Sequence, residues 1–241
     1  MIIVVRNRST KRIIAEGESR TLNAFIRDNL GPKPDLARAD LPGANLAAAS
    51  LAGAFLQEAN LAGANLVGAD LSGANLTGAN LTRASLAGAN LTDANLTRAN
   101  LIGADLTAAE ARAAFLMNAD LYLATLTMVN LTNANLSEAN LAKGNLSLAI
   151  LVSAELFCAD LAAANLTLAD LTKATLTFAN LTRACLTKAI LVGATMAGAR
   201  LTTADLTDAD LTGADLSEAE LRGADIESAD LTDAVLTRAK R

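Results

Sequence analysis

A catalytic centre needs a group poised to give or take a proton, and this chain contains no histidine. There is therefore no Ser-His-Asp arrangement, no imidazole base and no imidazole metal ligand. The thiols are Cys158 and Cys185. Neither has an obvious activating base, and a reactive thiol requires a depressed pKa. Carboxylates are plentiful, but acid–base pairs work in clefts. The residues predict a non-enzymatic protein with no catalytic residues, no metal ligands and no cofactor. Asn-x-Ser/Thr triplets such as Asn75-Leu76-Thr77 and Asn130-Leu131-Thr132 match glycosylation acceptors. Without a secretion signal they read as by-products of a repeat.

Charge is the next chemistry on offer. Net charge is −5, with 20 bases against 25 acids, which disfavours direct nucleic-acid binding. The distribution is uneven. Residues 1–38 hold eight bases and four acids. Residues 205–233 hold one base, Arg222, and ten acids: Asp205, Asp208, Asp210, Asp215, Glu218, Glu220, Asp225, Glu227, Asp230 and Asp233. These acids form a candidate surface, either for a basic partner or for solubility alone.

Two free cysteines make no disulfide framework and fit a reducing compartment. The opening MIIVVRNRSTKR meets charge too early for a signal-peptide core. No run approaches the ~18 consecutive apolar residues of a membrane span. A cytoplasmic protein with no membrane association is expected.

The elements that must carry these residues follow from a period of five. Leu recurs at every fifth residue from Leu36 to Leu236, 41 positions in all, with Ala111, Met196 and Ile226 the exceptions. Two residues before each following centre stands Ala, from Ala39 to Ala239, except at Val129 and Gly144. The residue immediately before the centre is Asp or Asn in 26 of the 41 units. A step of five alternates faces on a strand and walks around an α-helix. The leucines share one interior only if the chain turns every five residues. Twelve of the fifteen glycines sit two residues after the centre, where a type II turn demands φ > 0. Other residues there predict varied turn types.

The A-[D/N]-L-x-x unit, unbroken over 36–239, closely resembles the pentapeptide-repeat proteins. The resemblance implies an all-β fold: a right-handed quadrilateral β-helix, four units and 20 residues per coil, about ten coils long. Periodicity alone leaves square and triangular coils open. One internal feature favours 20: the column Asp40, Asn60, Asn80, Asn100, Asp120, Asn140, Asp160, Asn180 is unbroken. Some members of the family resemble B-DNA in shape and inhibit DNA gyrase by mimicking it. This chain departs from those in using Leu rather than Phe centres and in showing no evident C-terminal dimerising helix.

The chain divides into a cap at 1–35 and a repeat domain at 36–241. Open solenoid ends expose apolar layers and need caps. IIVVR (2–6) and RIIAE (12–16) read as strands about a turn at Asn7–Lys11. A helix over about 20–30 follows, capped by Ser19 or Thr21, with Leu22, Phe25, Ile26 and Leu30 on one face. No cap is visible at the other end. Ala111 predicts a small cavity or a tightened coil.

Folding the sequence at 20 brings Met128, Leu148 and Leu168 into one outward column. Ile150 and Ile190, then Val152 and Val192, fall on the neighbouring face. These seven are candidate partner-binding residues, since contiguous exposed apolar area marks interfaces. Phe115, Met117, Phe157 and Phe178 lie along another side. Thr107, Thr127, Ser147, Thr167, Thr187 and Thr207 form an outward hydroxyl column. The function expected is a scaffold binding a protein partner or a second copy. The alternative is a DNA-mimic inhibitor or protector of a type II topoisomerase.

Overall fold

The computed structural model describes residues 2–240. Met1 and Arg241, at the outer bounds of the two expected segments, lie outside the described residues. β1 (Ile2–Arg6) pairs antiparallel with β2 (Ile13–Glu18), with an irregularity between Val5 and Arg6. The turn between them is held by the Asn7 carboxamide, whose Oδ1 accepts from the Ser9 and Thr10 N–H groups at 3.0 Å each. The helix α1 (Leu22–Leu30) starts at Thr21, whose hydroxyl accepts from the Ala24 N–H at 3.1 Å. That satisfies one of the orphan donors of the first turn. Gly31, at φ 73°, ends the helix. Phe25 and Ile26 are buried, and Leu22 and Leu30 pack at the margin of the core.

From Asp35 onward the backbone forms parallel bridges at a constant offset of twenty residues, from Asp35↔Phe55 to Glu220↔Lys240. Each coil therefore contains four pentapeptides, and the column Asp40 to Asn180 is one continuous ladder. β1 and the following turn continue this ladder at its start. Asn7 bridges Ala39 antiparallel, and the Asp40 N–H donates to the Arg6 carbonyl at 2.8 Å.

Every N–H of an Asp- or Asn-bearing pentapeptide has a destination, which explains the unit. Around Leu76, the Leu76 N–H donates to the Asn95 carbonyl in the next coil, and the Asn75 N–H donates back to the Ala54 carbonyl. The Gly78 N–H donates to the Thr97 carbonyl, and the Ala79 N–H closes the corner onto the Leu76 carbonyl. The Thr77 N–H, at the outside of the corner, has no backbone partner in this pattern. The Asn75 Oδ1 takes it at 3.1 Å. This Asx turn recurs at Asn60, Asp70, Asp105, Asp170 and Asp210, among others. Asp or Asn precedes the centre because only a short acceptor reaches that donor.

The centre Leu and the Ala two residues before it point inward, and from Leu46 to Ala219 every one of these is buried. Ala111 keeps its place. Its N–H still reaches the Asn130 carbonyl at 2.8 Å, while its corner bond lengthens to 3.3 Å. The substitution loosens one corner without disturbing the ladder. The corners themselves correct the expectation of varied turns. Apart from Ser228, non-glycine residues two after the centre adopt φ of 53–61°, alongside the corner glycines at 60–65°. The corner closes whatever the side chain, with the following Ala N–H donating to the centre's carbonyl, as at Asp233 (Ala234 to Leu231, 3.0 Å) and Arg238 (Ala239 to Leu236, 3.1 Å). Ser228 is a local departure, since its hydroxyl, rather than a carbonyl, accepts the Asp208 N–H at 2.9 Å. Beyond Leu221 the inward Ala224, Ile226, Ala229, Leu231, Ala234 and Leu236 are only partly buried.

Candidate interaction surface

The β-helix positions outward side chains in straight columns, each rung about 4.8 Å from the next. Met128, Leu148 and Leu168 occupy consecutive rungs of one corner. The Met128 N–H donates to the Ser147 carbonyl, and the Leu148 N–H to the Thr167 carbonyl. All three sit at left-handed φ of 57–60° and stand 48–51% exposed. Left-handed backbone is disfavoured for such side chains by about 1 kcal/mol each.

Around this corner the other candidates separate. Ile150 and Ile190 are exposed but lie on one ladder with Asp170 between them. Val152 and Val192 are half-buried, with their carbonyls engaged by the Asn133 and Lys173 N–H groups. The apolar surface is therefore a corner stripe with Ile150 and Ile190 flanking it, rather than a flat patch. Leu123, 52% exposed at a corner of its own, escaped the sequence reading. Leu at a corner position, amid small and polar residues, was the signal.

Half a coil away lies the aromatic edge. Phe157 and Phe178 meet edge to face with ring centroids 6.1 Å apart. Phe178 lies over the Gly198 corner, where an added Cβ would come within 2.5 Å of its ring. Phe115 and Met117 are exposed nearby along the same side.

The acids form a collar instead of a face. Asp205 bridges Asp225 and Asp210 bridges Asp230 on adjacent sides of the coil, with Asp215 and Glu220 on the other two. Asp208, Glu218, Glu227 and Asp233 occupy corners or their flanks. Stacked like charges oppose folding, but the corners compensate. The Thr207 hydroxyl and N–H hold the Asp205 carboxyl below its ordinary value. Ser217 does the same for Asp215, and Thr232 for Asp230. Arg238 lies 3.5 Å from Glu218, and Glu220 sits between Arg200 at 3.7 Å and Lys240 at 3.6 Å. These bases lie just outside residues 205–233, so the collar is less acidic than that window suggests.

The hydroxyl column is largely occupied internally. The hydroxyls of Thr107, Thr167 and Thr207 donate to Asp105, Asn165 and Asp205 at 2.6 Å. At Cys185 burial works to raise the thiol, but hydrogen bonds from Thr167 and Thr187 outweigh it and hold the pKa below its ordinary value. Its partners are hydroxyls at 3.2–3.3 Å and the Asp205 carboxylate at the long distance of 3.9 Å, with no imidazole or amine among them. Cys158 is exposed at a corner. Among the described residues no cluster of His, Cys, Asp or Glu could hold a metal, and no helix is long and apolar enough to cross a membrane.

Comparison with known proteins places this geometry. The family model of pentapeptide repeats matches between residues 39 and 193 and again over 199–238. Among solved structures, the chain is similar to HetL, a pentapeptide repeat protein involved in heterocyst differentiation regulation from the cyanobacterium Nostoc. The identity is 34%, the TM-score 0.84, and the match covers 88% of this chain and 94% of that one. It is also similar in fold to QnrB1, a plasmid-mediated fluoroquinolone resistance protein. There the identity is 20%, the TM-score 0.54, and coverage is 65% of this chain and 86% of that one. No curated protein sequence matches the chain.

Proposed function

The chain belongs to the pentapeptide-repeat family of right-handed β-helices, and from that premise we propose that it is a non-enzymatic scaffold that binds protein through the middle of its rod. One observation carries the reading. Of the fourteen corners from Arg38 to Gly103, eight are glycine, which accepts φ > 0 without strain. All seventeen corners from Ala108 to Lys188 carry side chains, at the same left-handed φ. Within that stretch stand Leu123, Met128, Leu148, Leu168 and Phe178, all about half-exposed. Strained, solvent-exposed apolar residues gathered in one zone are the signature of a contact surface. The stripe and the aromatic edge, half a coil apart, give the scaffold two sides to hold.

The test is affinity capture with two rods, the natural one and Leu148→Ser/Ile150→Ser/Leu168→Ser. A partner retained by the first and lost by the second, with equal melting temperatures, supports the reading. Identical partner sets for both overturn it.

The DNA-mimic reading draws mainly on the collar, because the ladder from Asp40 to Asn180 interrupts its acids, Asp40, Asp120 and Asp160, with neutral Asn60, Asn80, Asn100, Asn140 and Asn180. It requires inhibition of gyrase supercoiling that disappears on Asp205→Asn/Asp210→Asn/Asp225→Asn/Asp230→Asn.

A further inference from the structure

We propose that the Met128–Leu148–Leu168 corner is occupied by a second copy of this chain, the two rods lying side by side and antiparallel about a two-fold axis at Leu148. This rests on the reading of the mid-rod as an interaction surface and names the occupant of one of its edges.

The corner column reads, rung by rung, Gly68, Gly88, Ala108, Met128, Leu148, Leu168, Lys188, Asp208, Ser228. A two-fold axis perpendicular to the rod at Leu148 sets Leu148 against its own copy and Met128 against Leu168. Beyond these, long side chains meet short ones. Lys188 faces Ala108, Asp208 faces Gly88, and Ser228 faces Gly68. The apolar stripe is thus self-complementary in the antiparallel sense, the condition for an isologous contact.

Charge selects the same direction. Lys188 makes no ion pair among the described residues. The two-fold brings it to the Ala108 corner of the partner, two residues from the partner's Glu110. Within one copy, among the described residues, the Glu110 carboxylate is held only by the Asn130 amide at 3.0 Å and by Arg112 at 3.9 Å. The parallel alternative, with the axis along the rod, stacks Lys188 on Lys188 and Asp208 on Asp208, like charges that suppress pairing.

The area sets the strength. Three corner side chains about half-exposed, with Ile150 and Ile190 beside them, make a narrow stripe. Its area falls below the about 1,200 Å² of stable specific interfaces. The dimer is therefore weak, with a dissociation constant in the micromolar range or above, and its population follows protein concentration.

The experiment has two arms. In the first, sedimentation velocity is recorded from low micromolar to several hundred micromolar for the natural chain and for Leu148→Gly/Leu168→Gly. Glycine suits these corners, so the variant keeps its fold, which circular dichroism and melting check. A concentration-dependent dimer in the natural chain, absent in the variant, is expected. In the second, single cysteines are placed in a Cys158→Ser/Cys185→Ser background and oxidised at high concentration. Leu148→Cys cross-links to itself. Met128→Cys cross-links to Leu168→Cys in a mixture but not to itself. Self-linking of Met128→Cys equal to the mixture overturns the antiparallel geometry. A natural chain that stays monomeric throughout the series overturns the dimer. Loss of a captured partner on the Leu148→Ser/Ile150→Ser/Leu168→Ser change would then still uphold the scaffold reading, so the two ideas fail separately.

Discussion

At the scale of single residues, the fold depends on small acceptors and on glycine placed where rings pass. Asp170 accepts from both the Thr172 N–H at 2.9 Å and its hydroxyl at 2.6 Å. Asp170→Ala leaves that corner donor to water, and a loss of about 1 kcal/mol is expected from denaturant unfolding. Asp170→Asn retains the acceptor and should lose distinctly less. Gly198→Ala combines a left-handed backbone at φ 65° with a Cβ driven into the Phe178 ring. It should lower stability by more than 1 kcal/mol, and Phe178→Ala should rescue part of that loss. An additive double mutant would remove the Phe178 contact as the cause. The Asx column was legible in the sequence as a frequency, but its cause was not. The cause is a donor left over after the backbone bonds of two neighbouring coils are counted, and that count needs the ladder. The uniform corners were hidden as well: Lys, Arg and Leu at corners suggest varied turns until the bond from the following Ala N–H to the centre's carbonyl, which closes each corner, is seen.

At the scale of elements, each inward layer is closed by stacking Ala against Leu. Ala164 is 1% exposed and Leu166 is fully buried. Ala164→Leu should lower stability by about 1–3 kcal/mol through overpacking, far more than Thr→Ala at an exposed corner flank such as Thr237. Equal melting temperatures for the two would contradict a close-packed layer. The hairpin and helix were readable because they follow ordinary periods. The helix begins at Leu22 behind the Thr21 cap and buries Phe25 and Ile26, as the apolar spacing required. What the spacing could not show is how the hairpin attaches. Lys11 reaches Asp40 at 3.2 Å, and the Arg8 guanidinium donates to the Glu58 carbonyl at 2.9 Å while Arg38 pairs with the Glu58 carboxylate at 3.1 Å. Lys11 and Arg8 therefore clasp the cap to the first coils, Lys11 through a carboxylate and Arg8 through a backbone carbonyl.

At the scale of the whole molecule, the repeat specifies the rod but is nearly silent on the partner, because outward positions are free of the packing that constrains inward ones. Only departures from the unit, such as Leu at corners 123, 148 and 168, carry information about contacts. The acids illustrate how position along the rod matters. Asp205, Asp215 and Asp230 all have carboxyls held below their ordinary value by corner hydroxyls and N–H groups. A carboxyl whose pKa is lower in the folded chain than in the unfolded one favours the fold when ionised. Its contribution is complete above the unfolded value of about 3.9 and is lost as pH falls through the folded value. The direction shows that hydrogen bonds at these three carboxyls outweigh the cost of their partial burial. The coils beyond Leu221 have a partly exposed apolar layer and the least packing to spare. Amide exchange at pH 7 and at pH 3, corrected for the intrinsic rates, should therefore show protection falling first at the corners of Thr207, Ser217 and Thr232. The mid-rod corners, closed by neutral Asn75, Asn130 and Asn165, should keep theirs. If repulsion within the collar dominated instead, acid would tighten the terminal coils, and the same amides would exchange more slowly at pH 3.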